Sequence, residues 1–465
     1  MLPPIDLANR PLQPLGYLSI RDHQGHIISN SFGQLQTIDT YNSFIGIYYL
    51  VTVKEKIGKL YNLSWRQSLL FYPMIFLLLF ILLVCITFHS EQQFSLLAKS
   101  FLHLKLYFLP SVGGVGMDPV IYGSHIYWSE GLFAAAILTP FVAITSIFHV
   151  FFYQGYLSSL LTLGVIFFIF KLSNRLGYNN EDSLLWALVF ALGSVFIGVV
   201  ALSGSWYYEQ VLTTFLLFWS LYEFFCRDKT RWWVLGIISA LILLTRVSAA
   251  PIFIFFFLEL VYLAKNKSNK WKLNNFFQLF FPMVGAVTII GLYNFLRFHN
   301  VLQTGFKYEL LSPISVDSRN LGILSVTHLP ANLYSLLLRA PLPVLRNGSG
   351  WSLKFPFIQN NDLGISMLIT SPYLLYLFTI KRKEYQRQHW FLLIAALFSL
   401  IAVALYFGIG KNQYGYRYQL DFLPLLFYVL MSLYRNTHKK ISFGMKSLLI
   451  FSIVLNFYLV LTFIY

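Results

Sequence analysis

Long apolar segments alternate with short polar ones along most of this 465-residue chain. An α-helix needs roughly 17–25 mostly apolar residues to cross the hydrocarbon core of a bilayer, and it satisfies its own backbone hydrogen bonds there. Eleven segments are predicted to span a membrane: 68–88, 151–171, 184–203, 208–226, 232–245, 249–264, 275–295, 364–380, 389–408, 419–433 and 447–464. The pattern therefore predicts an all-α polytopic membrane protein with about 11 transmembrane helices, within bounds of about 10 to 13.

A further apolar segment, 131–149, lies between the first and second of these spans. If it crossed the membrane, the basic clusters at 227–231 and 265–272 would move to the outer face. We therefore expect a helix that lies in, or dips into, the outer interface. Pro140 is expected to break this helix, because proline removes a backbone donor.

Basic residues fall mostly on alternate loops, and Lys and Arg mark the cytoplasmic side of membrane proteins. The residues concerned are Lys54, Lys56, Lys59, Arg66, Lys171, Arg175, Arg227, Lys229, Arg231, Lys265, Lys267, Lys270, Lys272, Lys381, Arg382, Lys383, Arg387, Arg435, Lys439, Lys440 and Lys446. This distribution predicts an N-terminus inside and a C-terminus outside.

Composition agrees with a membrane protein, since 57% of the residues are hydrophobic and only 11% are charged, against about 25% charged in soluble domains. The net charge of +16 comes mostly from residues that flank spans rather than from one soluble face. It therefore predicts the lipid bilayer, and no nucleic acid, as a partner.

The predicted organisation is a cytoplasmic N-terminal tail, 1–67, followed by one transmembrane domain, 68–465. Within that domain, 89–150 is the first extracytoplasmic loop and 296–363 is a second, large one. The first 40 residues lack the apolar core of a cleavable signal peptide. Cys85 and Cys226 lie at opposite sides of the membrane, which predicts neither a disulfide nor a zinc site.

Charged residues are few at the predicted outer face, and ionisable groups at membrane depth are usually functional. They are Glu91, Asp118, Glu130, Glu209, Arg246, Arg297, Lys411, Arg417 and Asp421. Arginine binds phosphate oxygens with two parallel hydrogen bonds, and a carboxylate can act as a general base. Acids and arginines at one depth therefore suit a lipid-linked phosphate substrate.

The acids also have purely structural interpretations. Glu91 is an acid at the end of a membrane helix, where exposure to the interface is ordinary. Asp118 follows a glycine-rich stretch at 113–116 and fits a turn. Glu130 fits an acid at a helix N-terminus, which the helix dipole favours. Glu209 follows Trp206, Tyr207 and Tyr208, which suit either an interfacial aromatic belt or stacking on a sugar.

The cations have structural interpretations too. Arg246 and Arg297 could extend to lipid headgroups. Arg417 and Asp421 are spaced i,i+4 and could pair on one helix face. The histidines show no metal-binding spacing, so we expect no cofactor, with a divalent cation held by Glu91 and Asp118 as an open alternative that no spacing supports.

Residues 89–98, His-Ser-Glu-Gln-Gln-Phe-Ser-Leu-Leu-Ala, follow the first span. They resemble the acidic motif of GT-C membrane glycosyltransferases, which is typically Asp-Glu, then an aromatic residue, then Ala. Ser90 stands in place of the first acid, and Glu91 keeps the second. Residues 118–128, Asp-Pro-Val-Ile-Tyr-Gly-Ser-His-Ile-Tyr-Trp, are similar to the family's segment before its outer interfacial helix. The family's Lys-Pro-Pro-Leu is replaced by the sequence of 129–132, Ser-Glu-Gly-Leu.

Three further segments resemble bacterial members of this family, and the resemblance covers about 68–440. These segments are 244–248, 293–298 and 414–418. The family includes protein O-mannosyltransferases and the lipid A aminoarabinose transferase. The resemblance implies inverting transfer of a sugar from a polyprenyl-phosphate donor to a lipid, glycan or protein acceptor, at the outer face of a bacterial cytoplasmic membrane.

The roles implied for the outer-face residues follow from that chemistry. Glu91 and Asp118 are the catalytic candidates, with Glu91 as the general base. The substrate-binding candidates are Glu130, Glu209, Arg246, Arg297, Lys411 and Arg417. Among them, Arg246, Arg297 and Arg417 would hold the donor phosphate.

Two alternatives remain open. A transporter or flippase of a lipid-linked glycan would carry polar residues at the bilayer midplane and broken helices. An O-antigen polymerase or ligase would place arginines in a large late loop, and loop 296–363 contains several basic residues. The absence of a nucleotide-binding glycine loop argues against ATP-driven transport.

Overall fold

The computed structural model describes residues 65–110, 116, 118–346 and 352–464, with backbone alone for 65–70. The predicted tail 1–67 therefore lies almost wholly outside the described residues. The chain divides into two units, 1–69 and 70–465, and the second contains nearly all of the described structure. It is built mainly from α-helices.

The helices of the first half begin with the predicted span at the start of the domain. They are α1 Trp65–Thr87, α2 Gln93–Leu102, α3 Leu132–Ile147, α4 Gln154–Arg175, α5 Asn180–Leu192, α6 Phe196–Leu202, α7 Ser205–Phe225 and α8 Trp232–Thr245. Those of the second half are α9 Ile252–Ala264, α10 Asn269–Phe298, α11 Pro313–Asn320, α12 Leu329–Leu337, α13 Met367–Thr370, α14 Arg387–Leu405, α15 Leu423–Thr437 and α16 Phe443–Ile464.

Five helical segments among the described residues are long and apolar enough to cross a membrane. They are Gln154–Arg175, Val247–Ala264, Asn269–Phe298, Arg387–Leu405 and Phe443–Ile464. The pair α5 and α6 adds a sixth if the two helices form one span. These helices fit the predicted helical membrane protein, but they do not confirm eleven spans, because several predicted spans form shorter or broken helices.

The pair α5 and α6 is bent by 58° where a single span was predicted over 184–203. Ser194 accounts for the break. Its hydroxyl donates to the Phe190 carbonyl at 2.6 Å and accepts from the Phe196 N–H at 3.1 Å. A serine side chain that takes over backbone hydrogen bonds interrupts the helical ladder.

The predicted helix over 364–380 is wrong as one continuous element. The chain forms the four-residue α13 and then a 3₁₀ helix, Pro372–Phe378. Proline lacks the N–H that an uninterrupted α-helix needs at this point. In contrast, α3 runs through Pro140 without ending, so the predicted break there is wrong. Neighbouring groups can compensate for the missing hydrogen bond of a proline in membrane helices.

The first loop folds back onto the helices. Helix α2 packs against α3, and its fully buried Phe94 lies against the rings of Trp128 and Tyr208. Between them, β1 (Val120–Tyr122) and β2 (His125–Tyr127) form an antiparallel hairpin. An isolated bridge joins Val120 to Glu309, and the Leu310 N–H donates to the Pro119 carbonyl at 2.9 Å. The two predicted outer loops are therefore in direct contact.

The later loop also carries its own hairpin, β3 (Leu342–Leu345) with β4 (Leu353–Gln359). The most buried part of the described structure is formed by α5 to α7 together with α15. The short 3₁₀ helix Arg417–Asp421 packs against α6, α7 and α15 of this buried part, and both Arg417 and Asp421 are almost inaccessible to solvent.

Candidate active site

Glu91 lies in the short turn between α1 and α2. Its backbone carbonyl accepts hydrogen bonds from the Gln154 side chain at 3.0 Å and from the Ser205 hydroxyl at 3.3 Å. Its carboxylate lies beside the N-terminus of α7, since a Cβ added at the N-cap Gly204 would be 3.4 Å from Oε2. No hydrogen bond to this carboxylate exists among the described residues, so the backbone is held while the carboxylate stays available.

Asp118 is half-buried and has a left-handed backbone, with φ of 56°. This conformation is uncommon outside glycine, although aspartate tolerates it better than most residues. Burial raises the pKa of the Asp118 carboxyl, while the Arg417 guanidinium lowers it and the Glu91 carboxylate raises it. Asp118 therefore combines the turn-like backbone considered for it with a position near two charged candidates, Arg417 and Glu91.

Arg246 is held by acids on two other elements. Its Nε and one terminal nitrogen donate to the two carboxylate oxygens of Asp421, at 2.9 and 3.0 Å. The other terminal nitrogen donates to Glu209 at 3.2 Å. Ser248 donates to Asp421 at 2.6 Å. The donors of Arg246 are therefore directed at protein carboxylates.

Arg417 has no such partner. It is 6% exposed, and its buried Nε has no hydrogen-bond partner among the described residues. Its guanidinium lies 5.0 Å from the ring centre of Tyr207 and 5.3 Å from that of Tyr418. The pairing considered for Arg417 and Asp421 is not formed, because Asp421 is bound to Arg246. Within the described part of the chain no carboxylate forms an ion pair with Arg417.

Glu130 and Glu309 complete the group of acids. Glu130 lies within electrostatic range of Asp118, Arg246 and Arg417, and burial raises its pKa. Glu309 accepts a hydrogen bond from Ser129 at 2.9 Å. Burial and the nearby Glu130 carboxylate raise the pKa of Glu309 to about 8.

The structure does not bring every candidate into this group. Arg297 is buried and donates to the Trp128 carbonyl at 2.6 Å and to Asn294 at 2.9 Å, while its guanidinium stacks 3.7 Å from the Tyr293 ring. It thereby fixes the loop that carries Glu130. Lys411 is exposed on a turn and forms no ion pair among the described residues.

The aromatic residues before Glu209 differ in accessibility. Tyr208 is fully buried and donates to the Ala134 carbonyl. Tyr207 is also buried and donates to the Asn412 carbonyl. Neither ring belongs to an exposed belt. Trp206 is half-buried, so its indole alone of the three remains partly available to a ligand.

Two residues of this region were missed by the sequence analysis. Glu309 reaches the site through its bridge to Val120, and only its position in loop 296–363 could have suggested it. Gln93 belongs to the acidic motif itself, but an amide carries no charge that would single it out. Its side chain is fully buried, and within the part of the chain that the structure describes neither amide atom has a hydrogen-bond partner.

The described residues contain no group of three or more His, Cys, Asp or Glu side chains placed to hold a metal ion. Cys85 and Cys226 are both free thiols.

No protein family matches the sequence, and no curated protein gives a significant match. Two solved structures of Archaeoglobus fulgidus proteins are similar to the chain at a low level. The apo oligosaccharyltransferase has 12% identity and a TM-score of 0.39 over 84% of this chain. The oligosaccharyltransferase AglB, in complex with an inhibitory peptide and a dolichol-phosphate, has 13% identity and a TM-score of 0.38 over 85% of this chain. The chain spans 56% of the length of each.

Proposed function

We propose that this protein is a GT-C-type membrane glycosyltransferase. It moves a sugar, with inversion, from a polyprenyl-phosphate donor to an acceptor hydroxyl at the extracytoplasmic face of a bacterial cytoplasmic membrane. The observation that carries the proposal is the environment of Arg417, a buried cation with which no carboxylate of the described residues forms an ion pair. A buried charge without a counter-ion is costly, and a phosphate would supply the missing negative charge.

In the proposed displacement reaction, Glu91 acts on the attacking acceptor and Arg417 acts on the leaving phosphate. The Glu91 carboxylate takes the proton of the acceptor hydroxyl, and the acceptor oxygen attacks the anomeric carbon. The bond from that carbon to the phosphate oxygen breaks, and the polyprenyl phosphate leaves with the electron pair. Arg417 stabilises the charge on the leaving phosphate. Asp118 lies within electrostatic range of both residues, which supports a common site.

Arg246 has a different role in this proposal. Its hydrogen bonds to Asp421 and Glu209 direct its donors at protein carboxylates rather than at a ligand. It therefore holds the 3₁₀ helix that begins at Arg417. We propose that Asp118 and Glu130 contact the sugar. Arg297 and Lys411 act from outside this group. Arg297 fixes the loop that carries Glu130, and Lys411 attracts anionic lipid.

The test is turnover of purified protein in nanodiscs with a panel of radiolabelled undecaprenyl-phosphate sugars. We expect release of undecaprenyl phosphate from at least one donor. Arg417→Ala should abolish most of this release, and Arg417→Lys should restore only part, because lysine lacks the two-pronged geometry of guanidinium. Arg346→Ala is the matched control, since Arg346 is an exposed arginine of the same outer region. Equal loss in the control, or no turnover of any donor, would contradict the proposal.

One observation favours a second candidate, a transporter of lipid-linked glycans. The break between α5 and α6 is the kind of helix interruption that transporters use. Reconstituted liposomes with a fluorescent polyprenyl-phosphate sugar distinguish the two activities. Movement of the intact lipid between leaflets, without loss of the sugar, would favour transport over transfer.

A further inference from the structure

Two serines join the end of α1 to the end of α6. The Ser90 hydroxyl donates to the Leu202 carbonyl at 3.1 Å, and the Ser203 hydroxyl donates to the Phe88 carbonyl at 2.7 Å. Phe88 lies directly after α1, and Leu202 is the last residue of α6. A helix supplies no N–H partner for the carbonyls at its C-terminal end. The two helix ends therefore satisfy each other's carbonyls, and these two reciprocal hydrogen bonds form a serine clasp.

Ser203 contributes to the clasp from a left-handed backbone conformation, with φ of 43° and ψ of 9°. This conformation is uncommon for a serine and persists where the surrounding contacts fix it. Ser203 is fully buried, and its hydroxyl forms the hydrogen bond that reaches the end of α1. The left-handed turn after α6 is thus held by a contact with the turn that carries Glu91.

The clasp brings together the next residue along each segment. Glu91 follows Ser90, and Gly204 follows Ser203. A Cβ added at Gly204 would overlap the Ser90 Oγ and would lie 3.4 Å from Oε2 of Glu91. The Ser90 hydroxyl therefore keeps its place because Gly204 has no side chain, and the Glu91 carboxylate lies directly beside this glycine.

We propose that Ser90 and Ser203 are positioning residues for the Glu91 carboxylate. The catalytic consequence rests on the proposed function, in which Glu91 is the base. The position of its carboxylate depends on the backbone, because no described residue donates a hydrogen bond to it. That backbone is held at the Glu91 carbonyl by Ser205 and Gln154, and one residue earlier by the clasp. A base must lie within hydrogen-bond reach of the proton it takes, so displacement of this turn slows proton transfer.

The geometry requires a hydrogen-bond donor at position 90. Its partner is the Leu202 carbonyl, which can only accept. Threonine preserves a hydroxyl donor at this position, whereas alanine removes it. An ionised aspartate has no proton to donate and would direct a negative charge at the carbonyl oxygen. The three substitutions therefore separate the effect of the donor from the effect of polarity.

The first experiment is a double-mutant cycle on sugar transfer in nanodiscs. Ser90→Ala should lower kcat at least about tenfold with little change in donor KM, since misplacement of a base affects chemistry more than donor binding. In the Glu91→Gln background the same substitution should cause no further loss, because no carboxylate is left to position. Ser90→Thr should restore most of the wild-type kcat, and Ser90→Asp should not.

Ser452→Ala is the matched control. Ser452 is fully buried like Ser203, and its hydroxyl donates from α16 to the Gly193 carbonyl, directly after α5, at 2.7 Å. The control thus removes the same kind of hydrogen bond at a different helix end, and we expect a kcat near the wild-type value. An equal fall in kcat in Ser452→Ala, or an undiminished effect of Ser90→Ala in the Glu91→Gln background, would overturn the proposal.

The second experiment needs no turnover. Backbone hydrogen exchange is followed by mass spectrometry over 88–96, where the Gln93 N–H donates to the Ser205 hydroxyl at 2.8 Å. Ser90→Ala and Ser203→Ala should each speed exchange in this segment at least about tenfold, because the turn loses a link to α6. Ser452→Ala should leave this exchange unchanged. Wild-type exchange in both clasp variants would overturn the proposal, whatever their transfer rates.

The two experiments separate failure of the clasp from failure of the enzymatic proposal. Faster exchange in the clasp variants of a protein that turns over no donor would contradict the glycosyltransferase proposal and support the clasp as the element that holds Glu91. Faster exchange together with wild-type kcat would overturn the positioning role of Ser90 and Ser203.

Discussion

Arg246 and Asp421 form a two-pronged ion pair between the start of one membrane segment and the 3₁₀ helix that begins with Arg417. The arginine side chain is 11% exposed and the aspartate 0%. Because Glu209 and Ser248 bind the same pair, four residues from three parts of the chain depend on one another. Arg417 is positioned at the edge of this arrangement.

Breaking that pair from one side should destabilise the protein. Asp421→Asn leaves the Arg246 charge buried with a weaker partner, and loss of one member of a buried pair costs about 3–5 kcal/mol. We expect a marked fall in thermal unfolding temperature in detergent. Asp317→Asn, at an exposed aspartate, should change it little. If Asp421→Asn unfolds at the wild-type temperature, the Arg246–Asp421 pair does not stabilise the fold.

Replacing the proposed base should affect chemistry and leave the fold intact. Glu91→Gln keeps the shape of the side chain but removes its charge, and no hydrogen bond to the carboxylate among the described residues would be lost. We expect normal insertion and thermal stability with transfer at least about a hundredfold slower. Glu91→Asp should retain more activity than Glu91→Gln. Near-normal turnover of Glu91→Gln would move the base to Asp118 or Glu130.

Glu309 should make stability depend on pH. Its folded-state pKa is raised from 4.5 to about 8, so the folded protein binds this proton more tightly than the unfolded chain does. The stabilisation is fully present below pH 4.5 and is lost as pH rises toward 8, with a slope of at most about 1.4 kcal/mol per pH unit.

The comparison is between wild type and Glu309→Gln, with unfolding temperatures measured from pH 5 to pH 8. The wild type should lose more stability across this range than the variant. Glu384→Gln serves as the control at a less buried position and should follow the wild type. Parallel curves for wild type and Glu309→Gln would show that the carboxyl titrates normally.

Orientation is tested by labelling single cysteines in a background without Cys85 and Cys226. Both Lys383 and Ala340 are exposed. A cysteine at 383 should react with a membrane-impermeant maleimide only after permeabilisation, and one at 340 should react in intact spheroplasts. Labelling of both from one side would invalidate the orientation inferred from basic residues.

The same approach tests whether α3 crosses the membrane. Ser124 and Val150 are exposed residues that flank this helix. Cysteines at the two positions should both label from outside, because α3 is predicted to remain at the outer interface. Labelling from opposite sides would make α3 a true span and would add one crossing.

Periodicity and polarity predicted most helix positions, because a long apolar run has few alternatives in a membrane. The segment predicted at 151–171 became Gln154–Arg175. The break at Ser194 was not predictable in this way, since it depends on a side chain replacing backbone hydrogen bonds. The same limit applies to 364–380, where the chain departs from α-helical geometry.

Predicted depth selected charged residues, of which six lie within electrostatic range of one another while Arg297 and Lys411 lie apart, but it did not predict their pairing. Glu91, Asp118, Glu130, Glu209, Arg246 and Arg417 were selected by predicted depth, and their charges do interact. Pairing of Arg417 with Asp421 assumed an α-helix. In the 3₁₀ helix that forms instead, with three residues per turn, residues four apart point in different directions. Predicting Glu309 would have required knowing that loop 296–363 contacts the first outer loop, and local sequence patterns do not contain this information.

The separation of Arg246 and Asp421 by 175 positions has a consequence for biosynthesis. A ribosome makes Glu209 and Arg246 before Asp421, so the nascent chain carries the guanidinium without its two-pronged partner while the next 175 residues are made. Such a charge resists burial between helices. The compact arrangement around the site can therefore close only after Asp421 has been made, and a product that ends before Asp421 would expose a charged, incompletely packed surface to membrane proteases.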